Sequence, residues 1–411
     1  MELFDGIRIK DKPWYYEPKL IMLTSPLMLL AGWILFILTG LLKLDKTKKW
    51  ALAVLVVMTF APSAYAIYKG SYLYNGWRHF LFIYPTLIVL AVWGFEQLLV
   101  LLKNVKIAQL MAPALAIVLL IPAASAHIKN HPYQYMYFNE LAGGTAGAHG
   151  NYDLDYWNQT PKAAFAWLVN HDPKVKTGEV SVATNNIKET LVGQNEGGDS
   201  LWYQWCRELQ WHNKIYDYGI FTTRTLSKNQ ILNGNWPPKN TIHEIKVDGV
   251  TVAVLTKKEN NYAGEAFKAL RAGKIAEAQD LYQKAYDYNP KEEENVRGLA
   301  SVYKAKRSWD TALKYYKEAA ELRDRNYEAH YAMGEIYLNK ASIANPQNPD
   351  PALIAKSKEN FEKTIEYKSN FNTAYYYLGT LALAEKQDYK AIDFYKEALL
   401  YNPNMGAAYV G

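Results

Sequence analysis

The sequence predicts a mainly α-helical chain in three parts: a four-helix transmembrane region, a small α/β extracytoplasmic domain and an α-solenoid. Three observations lead to this prediction. Apolar stretches of about 20 residues fill the front of the chain, strand-like and helix-like patterns alternate in the middle, and a repeat of about 34 residues runs through residues 259–411. Half of the residues are hydrophobic, because a very apolar front is averaged with a polar back.

Four apolar stretches predict the transmembrane helices. Each is about 20 residues long, the length that crosses roughly 30 Å of hydrocarbon. They are residues 20–42, 50–68, 80–102 and 107–126. The first carries no charge, which disfavours a soluble core helix, since such a helix normally shows a polar stripe. The third contains Glu96, and a re-entrant or interfacial segment is the alternative there.

Lysines in two connections predict the orientation. They are Lys43, Lys46, Lys48 and Lys49 after the first stretch, and Lys103 and Lys106 after the third. The positive-inside rule makes both connections cytoplasmic. The tail 1–19, the loop 69–79 and everything after residue 126 are then extracytoplasmic, so we expect a multi-pass protein of the cytoplasmic (inner) membrane. Because the translocated tail contains no signal peptide, we also expect the chain to be the C-terminal part of a larger membrane protein.

Charge and cysteine content exclude several classes of function. The chain has 46 Lys and Arg against 40 Asp and Glu, and the excess lies in the membrane half. Such flanking charges differ from the clustered basic face of a nucleic-acid-binding domain, so no nucleic-acid partner is expected. Cys206 is the only cysteine, which excludes an intrachain disulfide and a cysteine-based metal site. His127, His131 and His149 fit no zinc spacing, and neither a metal nor a cofactor is expected.

The loop before the third stretch carries the candidate site. Arg78 and His79 stand at the membrane interface, where charged side chains usually face a cavity or an anionic group. Arg78 offers a planar set of donors that suits phosphate, and His79 can donate or shuttle a proton. The equally weighted alternative is that they reach the headgroup zone of the bilayer, with Tyr74 among the anchoring aromatic residues. Further candidate contacts at this outer mouth are Asn75, Trp77 and Tyr84.

Three blocks of sequence resemble one enzyme class. They are residues 75–85 (NGWRHFLFIYP), 24–26 (TSP), and 131–139 (HPYQYMYFN) with 155–157 (DYW) downstream. They look like the C-terminal half of bacterial GT-C membrane glycosyltransferases of the dolichyl-phosphate-mannose-protein mannosyltransferase type. Such enzymes transfer a sugar from a polyprenyl phosphate to an acceptor on the outer side of the membrane.

The resemblance implies a role for two residues. Arg78 and His79 match the position where the family contacts its lipid-linked donor, so a polyprenyl-phosphate sugar is the implied ligand, beside the lipid bilayer itself. The family's catalytic carboxylate lies in the N-terminal half, which these 411 residues do not include. The catalytic residues are therefore unknown, and this chain is expected to be inactive alone.

Residues 127–258 are expected to form an extracytoplasmic loop and a small α/β domain. Helical spacing marks residues 161–171, with Thr160 as the N-cap. Strand patterns mark residues 179–184, 215–222, 241–247 and 250–256. Asp248 and Gly249 join the last two strands and favour a tight hairpin turn.

Two motifs in this middle segment have a functional and a structural interpretation. Asp153-Leu154-Asp155 matches the Asp-x-Asp of nucleotide-sugar transferases, but a structural turn at residues 155–157 is favoured because no surrounding framework accompanies it. Four tryptophans can stack on sugar rings, although a core role is favoured. They are Trp202, Trp205, Trp211 and Trp236.

Small and aromatic residues recur at the 34-residue spacing in the last part of the chain. They are Ala278, Tyr282 and Ala285, then Ala312, Tyr316 and Ala319, and finally Ala391, Tyr395 and Ala398. This is the signature of tetratricopeptide (TPR) repeats, in which small residues let helix pairs approach closely. The predicted units are 259–292, 293–326, 327–371 with an insertion, 372–405, and a partial fifth. Such arrays present a concave face to peptides or proteins, so a protein partner is expected there.

Three functions are compatible with these features. The leading hypothesis is the C-terminal part of a polyprenyl-phosphate-sugar-dependent membrane glycosyltransferase whose outer TPR array binds a protein partner. The first alternative is a non-catalytic, membrane-anchored TPR scaffold of the cell envelope. The second is a polysaccharide ligase or polymerase component.

Overall fold

The computed structural model describes most of the chain as two compact units. The described residues are 2–9, 11–40, 46–71, 73, 76–186, 191, 202–205, 216–234, 236–344 and 349–410. The first unit comprises Met1–Trp205, Gly219–Leu226 and Thr241–Thr256. The second comprises Cys206–Tyr218, Ser227–Asn240 and Lys257–Gly411.

A β-hairpin occupies residues 2–9 of the segment that was expected to be a tail. Strands β1 (Glu2–Phe4) and β2 (Ile7–Ile9) pair in antiparallel fashion. Asp5 and Gly6 turn the chain with φ angles of 51° and 79°, the left-handed pair that a two-residue hairpin needs. The Gly6 amide donates to the carbonyl of Asn151 at 3.0 Å, so the hairpin is packed against a later part of the first unit.

Five helices make up the apolar front of the first unit. They are α1 (Tyr16–Thr24), α2 (Leu27–Thr39), α3 (Lys46–Tyr68), α4 (Tyr84–Leu101) and α5 (Lys106–Lys129). By length and composition, three segments among the described residues can span a membrane: Thr47–Tyr68, Arg78–Leu101 and Gln109–Lys129. A fourth span is present if α1 and α2 count as one broken element.

The first predicted span is bent rather than straight. Helices α1 and α2 meet at an angle of 119°. The break follows from Pro26, which has no amide hydrogen to donate to the carbonyl of Met22 and whose ring disfavours helical backbone at Ser25. Pro26 lies inside the predicted stretch, but the prediction followed its length and hydrophobicity and assumed one continuous helix.

Small residues allow α2 and α4 to lie in close contact. A Cβ atom at Gly94 would stand 2.2 Å from the carbonyl oxygen of Gly32, and one at Gly32 would stand 2.6 Å from the Cβ of Ala91. Trp33 donates from its indole nitrogen to the carbonyl of Leu87 at 2.8 Å. Close backbone approach through small residues is how helices associate inside a bilayer.

A five-stranded sheet forms the middle domain. Its elements are α6 (Gly144–Ala148), α7 (Thr160–His171), α8 (Lys174–Thr177), β3 (Ser181–Thr184), β4 (Trp202–Trp205), β5 (Tyr218–Thr222), β6 (Thr241–Val247) and β7 (Val250–Lys257). The short helix α9 (Lys228–Leu232) lies between β5 and β6 in the chain and belongs to the second unit. The strand order is β4-β3-β5-β7-β6, with β3 and β4 parallel. Strand β4 was not predicted, because its two tryptophans were assigned to a core without a strand pattern.

The predicted hairpin between the last two strands is confirmed. Strands β6 and β7 pair antiparallel, with Val247 opposite Val250. Asp248 and Gly249 have φ angles of 51° and 81° and form the two-residue turn. Of the predicted tryptophans, Trp236 is buried and Trp205 is 43% exposed. Trp211 lies outside the described residues, as does the start of the strand predicted at 215–222.

Antiparallel helix pairs form the solenoid of the second unit. The helices are α10 (Tyr262–Arg271), α11 (Ile275–Tyr288), α12 (Glu293–Ala305), α13 (Trp309–Leu322), α14 (Tyr327–Ala344), α15 (Pro351–Tyr367), α16 (Asn372–Ala384), α17 (Asp388–Tyr401) and α18 (Gly406–Val410). Each helix packs against the next along the chain. The repeating small residues are buried as expected, with Ala278, Ala312 and Ala398 fully inaccessible.

Close packing within each pair follows the TPR pattern. A Cβ at Gly334 would lie 2.7 Å from the ring of Phe361, and one at Gly379 would lie 2.7 Å from the ring of Tyr395. The aromatic ring therefore fills the space that the glycine leaves. In the third unit, α14 and α15 are longer than their counterparts, so part of the insertion extends the helices, while residues 345–348 lie outside the described part of the chain.

Candidate functional site

The first unit contains a cavity of about 240 Å³ beside α1 and the start of α4. Its walls come from β1, α1, the loop before α4 and the segment after α5. Aromatic residues dominate the wall, among them Tyr16, Trp77, Tyr84, Tyr135, Tyr137 and Tyr156. Apolar ring faces with hydroxyl groups at their edges suit a ligand that is partly apolar and partly hydrogen-bonding.

Trp77 and Tyr84 hold the loop before α4 against α1. The Trp77 indole nitrogen donates to the Thr24 hydroxyl at 2.9 Å. The rings of Trp77 and Tyr84 lie 5.4 Å apart. A short 3₁₀ helix (Arg78–Ile83) carries the chain between them into α4. Both predicted contacts therefore line the cavity, whereas the predicted contact Asn75, like Tyr74, lies outside the described residues.

Arg78 reaches the cavity and His79 does not. The guanidinium carbon of Arg78 lies 5.2 Å from the centre of the Trp157 ring, close enough for a cation–π contact. Arg78 is half-buried and lines the cavity, while His79 is exposed and is not among the described residues that line it. The adjacent positions separate because successive residues of a 3₁₀ helix point about 120° apart.

Two carboxylates line the opposite wall, and both are engaged. Glu2 is 8% exposed, accepts a hydrogen bond from the Tyr16 hydroxyl and lies 3.7 Å from the Lys12 ammonium. Asp153 pairs with Arg8 at 2.7 Å and accepts from the Leu3 amide at 3.1 Å. These contacts hold the β1–β2 hairpin in place.

Asp155 has a structural role at the start of α7. Its carboxylate accepts from the amides of Gln159 and Thr160, each at 3.1 Å, and from the Thr160 hydroxyl. The prediction that Thr160 is the N-cap is wrong, because the helix begins at Thr160 with Gln159 as its N-cap, and Asp155, five residues before Thr160, supplies the acceptor for the Thr160 amide. The carboxylate of Asp155, the second Asp of the Asp-x-Asp tripeptide, is thus held by hydrogen bonds at the start of α7. The Tyr135 hydroxyl also donates to this carboxylate.

Tyr137 presents a buried hydroxyl without a protein partner. The residue is 7% exposed, lines the cavity, and its hydroxyl makes no hydrogen bond to any described residue. Burial, followed by the charge of Glu140, raises the pKa of Tyr137, so the hydroxyl stays protonated and able to donate. A buried hydroxyl normally needs a partner, which a ligand or a water molecule in the cavity can supply.

Sequence reasoning missed the cavity-facing tyrosines. Tyr135 and Tyr137 line the cavity, and they lie in and directly after a short 3₁₀ helix (Gln134–Met136), which leaves no strand-like alternation to indicate a common face. Glu2 was missed because the hairpin that carries it was expected to be a tail. Among the described residues, no group of three or more His, Cys, Asp or Glu side chains is placed to hold a metal ion.

The first helices of the repeats form a second candidate surface, the first-helix face. It is defined here by Arg297 and Lys304 on α12 and by Tyr331 and Glu335 on α14. Lys304 bonds to Glu335 across the repeat boundary, and the Tyr331 hydroxyl donates to Glu335 at 2.9 Å. Arg297 bonds to Glu293 at 2.9 Å. Charges from Glu293, Glu294 and Glu328 outweigh the effect of burial and raise the pKa of Arg297.

No protein-family model matches the chain. Solved structures match part of the chain. They include MamA, with 20% sequence identity over 35% of this chain and 78% of that chain and a TM-score of 0.30. Human IFIT1 bound to PPP-AAAA matches at 22% identity over 34% of this chain and 31% of that chain, with a TM-score of 0.30.

The first TPR of Spaghetti (RPAP3), bound to the HSP90 peptide SRMEEVD, matches at 15% identity over 28% of this chain and 82% of that chain, with a TM-score of 0.24. The assignment of TPR-like repeats to this chain rests on its own helix pairs, their 34-residue spacing and the glycine–aromatic contacts within each pair.

Proposed function

We propose that this protein is a membrane-anchored scaffold whose TPR array binds an extended segment of a partner protein. The single observation behind the proposal is the first-helix face, where a side chain of one repeat bonds directly to a side chain of the next. Lys304 and Glu335 lie on different repeats yet bond directly, at side-chain exposures of 30% and 19%. Such half-buried, pre-positioned polar groups bind a peptide with little loss of side-chain entropy.

Equivalent positions on this face carry large side chains. Arg297 and Tyr331 are 34 residues apart, and Tyr376 follows at the same position of the fourth unit once the insertion is counted. Arg and Tyr are the residue types that most often dominate binding energy at protein interfaces. The second, third and fourth units thus each carry one such residue, while the first has the buried Ala263 there. A series of this kind suits an extended segment that crosses several repeats.

Co-purification from native membranes tests the scaffold proposal. Tyr331→Ala and Tyr376→Ala should each reduce the amount of partner recovered with the chain by at least about tenfold, the loss expected from an interface anchor. Tyr389→Ala is the matched control, because Tyr389 lies on a second helix and is 88% exposed. Equal recovery with all three variants contradicts the proposal.

We further propose that the repeats lie outside the cytoplasmic membrane. The support comes from three or four candidate spans and from the lysines at Lys46–Lys49 and at Lys103 and Lys106. In a Cys206→Ser background, Tyr389→Cys should react with a membrane-impermeant maleimide in intact cells, and Lys48→Cys only after lysis. The reverse labelling pattern contradicts this orientation.

A second candidate function is supported by the cavity. Arg78 places a guanidinium at the rim of an aromatic pocket that also contains the unpartnered hydroxyl of Tyr137. A cation beside apolar rings and a hydroxyl donor suits a lipid-linked sugar phosphate. In this candidate the chain is part of a polyprenyl-phosphate-sugar-dependent glycosyltransferase, or of a polysaccharide ligase or polymerase, and the repeats bind its protein partner.

A further inference from the structure

Two histidines cover opposite faces of one tryptophan in the first unit. The ring centres of Trp167 and His171 lie 3.5 Å apart at an interplanar angle of 11°. Those of Trp167 and His243 lie 4.5 Å apart at 10°. Trp167 and His171 belong to α7 and His243 belongs to β6, so the stack joins a helix to an edge strand of the sheet.

We propose that the His171–Trp167–His243 stack is a pH-sensitive contact that fastens α7 to β6 when the imidazoles are neutral and loosens when acid charges both. The proposal is independent of the function proposed above. Its basis is geometric, because a proton on each histidine places two like charges on either side of a single ring.

The hydrogen-bond pattern fixes where the proton binds. The Nδ1 atom of His171 lies 2.8 Å from the Trp167 carbonyl oxygen, which can only accept, so Nδ1 carries hydrogen in the neutral ring. Acid must therefore add the second proton at Nε2. One imidazolium on an indole face is attractive, but the second charge repels the first and must also be taken out of water.

Groups near the stack shift the pKa of His243 in both directions. Burial, then the charge of His171, lowers the pKa of His243, while Glu244 on the same strand raises it. The Glu244 carboxylate already has two partners of its own, since it accepts a hydrogen bond from the Thr251 hydroxyl of β7 and forms an ion pair with Lys246 at 3.2 Å. Asp172 and Lys174 follow α7 beside His171.

The lowered pKa of His243 determines how the stability of the contact depends on pH. A histidine whose pKa is lowered in the folded state binds fewer protons than the unfolded chain. The stability that depends on neutral His243 is therefore fully present above the ordinary histidine pKa of about 6.5, and it is lost as the pH falls through that value toward the lowered one.

Hydrogen exchange of the full chain in detergent or nanodiscs tests the proposal. Amide protection in α7, corrected for intrinsic exchange rates, should fall by at least about threefold between pH 7.5 and 5 and should lose this dependence in His243→Gln. The pH dependence should persist in His131→Gln, an exposed histidine of the same unit outside the stack. The same pH dependence in the wild type and in His243→Gln overturns the proposal.

A second readout covers the case in which His243→Gln disturbs the sheet. His171 is exposed, so His171→Gln leaves the core intact while removing one charge. The titration midpoint of His243, followed by NMR of its ring protons, should rise by about 0.5 unit in His171→Gln. An unchanged midpoint refutes charge coupling through the stack. Fluorescence of the wild type minus that of Trp167→Phe reports the same transition.

Discussion

Asn139 donates from its side-chain amide to the carbonyl oxygen of Met22 at 2.7 Å. In an unbroken helix that oxygen would accept from the residue four positions on, which is Pro26 and has no amide hydrogen. The same Asn139 amide also donates to the Ser25 carbonyl at 2.8 Å, and its backbone amide donates to the Leu23 carbonyl at 2.8 Å. One buried residue thus satisfies the carbonyls exposed by the helix break.

Replacement of Asn139 should therefore destabilise the break between α1 and α2. Asn139→Ala leaves the Met22 and Ser25 carbonyls without their donors, at a cost of about 1–3 kcal/mol for each buried unsatisfied group. Thermal unfolding in detergent measures the loss. Asn151→Ala is the matched control, since Asn151 donates to the Gly147 carbonyl at an exposed site. An equal effect of the two replacements would show that the break does not depend on Asn139.

Gly334 should tolerate no side chain in the third repeat. Its missing Cβ would lie 2.7 Å from the ring of Phe361, which is fully buried and has no space to move. Overpacking of this kind costs about 1–3 kcal/mol. Gly334→Ala should lower the unfolding temperature of the repeat part, whereas Gly406→Ala, where a Cβ meets nothing within 4 Å, should leave it unchanged. Identical unfolding curves for both variants argue against the packing described.

The repeat part should lose stability in mild acid through His330. Burial lowers the pKa of His330, against the effect of its hydrogen bond to Asn360 at 2.9 Å. The unfolded chain therefore takes up a proton first, and stability falls as the pH drops below about 6.5. Hydrogen exchange of α14 at pH 7.5 and pH 5 measures this change. His330→Gln should have a smaller acid effect, and an acid effect of the same size assigns the sensitivity to another group.

Arg78 should bind an anionic lipid headgroup at the cavity. A short-chain polyprenyl phosphate, titrated into the purified protein and followed by native mass spectrometry, should bind at least about tenfold more weakly to Arg78→Ala, because charge-assisted hydrogen bonds contribute about 1.5–3 kcal/mol. Arg78→Lys should restore part of the affinity, since it keeps the charge without the planar fork. Arg224→Ala controls for loss of an exposed arginine of the same unit. Undiminished binding to Arg78→Ala would refute the phosphate contact.

How far the sequence predicts this protein differs between its parts. The repeats were predictable down to single contacts, because a 34-residue period records both the small residue and the ring that fills its gap, as at Gly379 and Tyr395. The hairpin at Asp248 and Gly249 was predictable from local turn chemistry alone.

The cavity was less predictable because its parts are distant in the chain. Arg78, Trp77 and Tyr84 stood out through their cost at the membrane interface. Glu2 and Tyr137 join them only through the fold, and the donor that shapes the bend at Pro26 is Asn139, more than a hundred residues away. Periodicity and turn chemistry concern residues that are near one another along the chain, and they do not predict contacts between distant residues.

The scaffold proposal is tested most directly by photocrosslinking on the repeats. A benzophenone amino acid at Tyr331 or Tyr376 should capture one protein of the same mass in living cells, and Arg297→Glu should remove that adduct. The same probe at Tyr389, on a second helix, should capture none of it. Adducts of equal yield at all three positions, or adducts unaffected by Arg297→Glu, would contradict a binding role for the first-helix face.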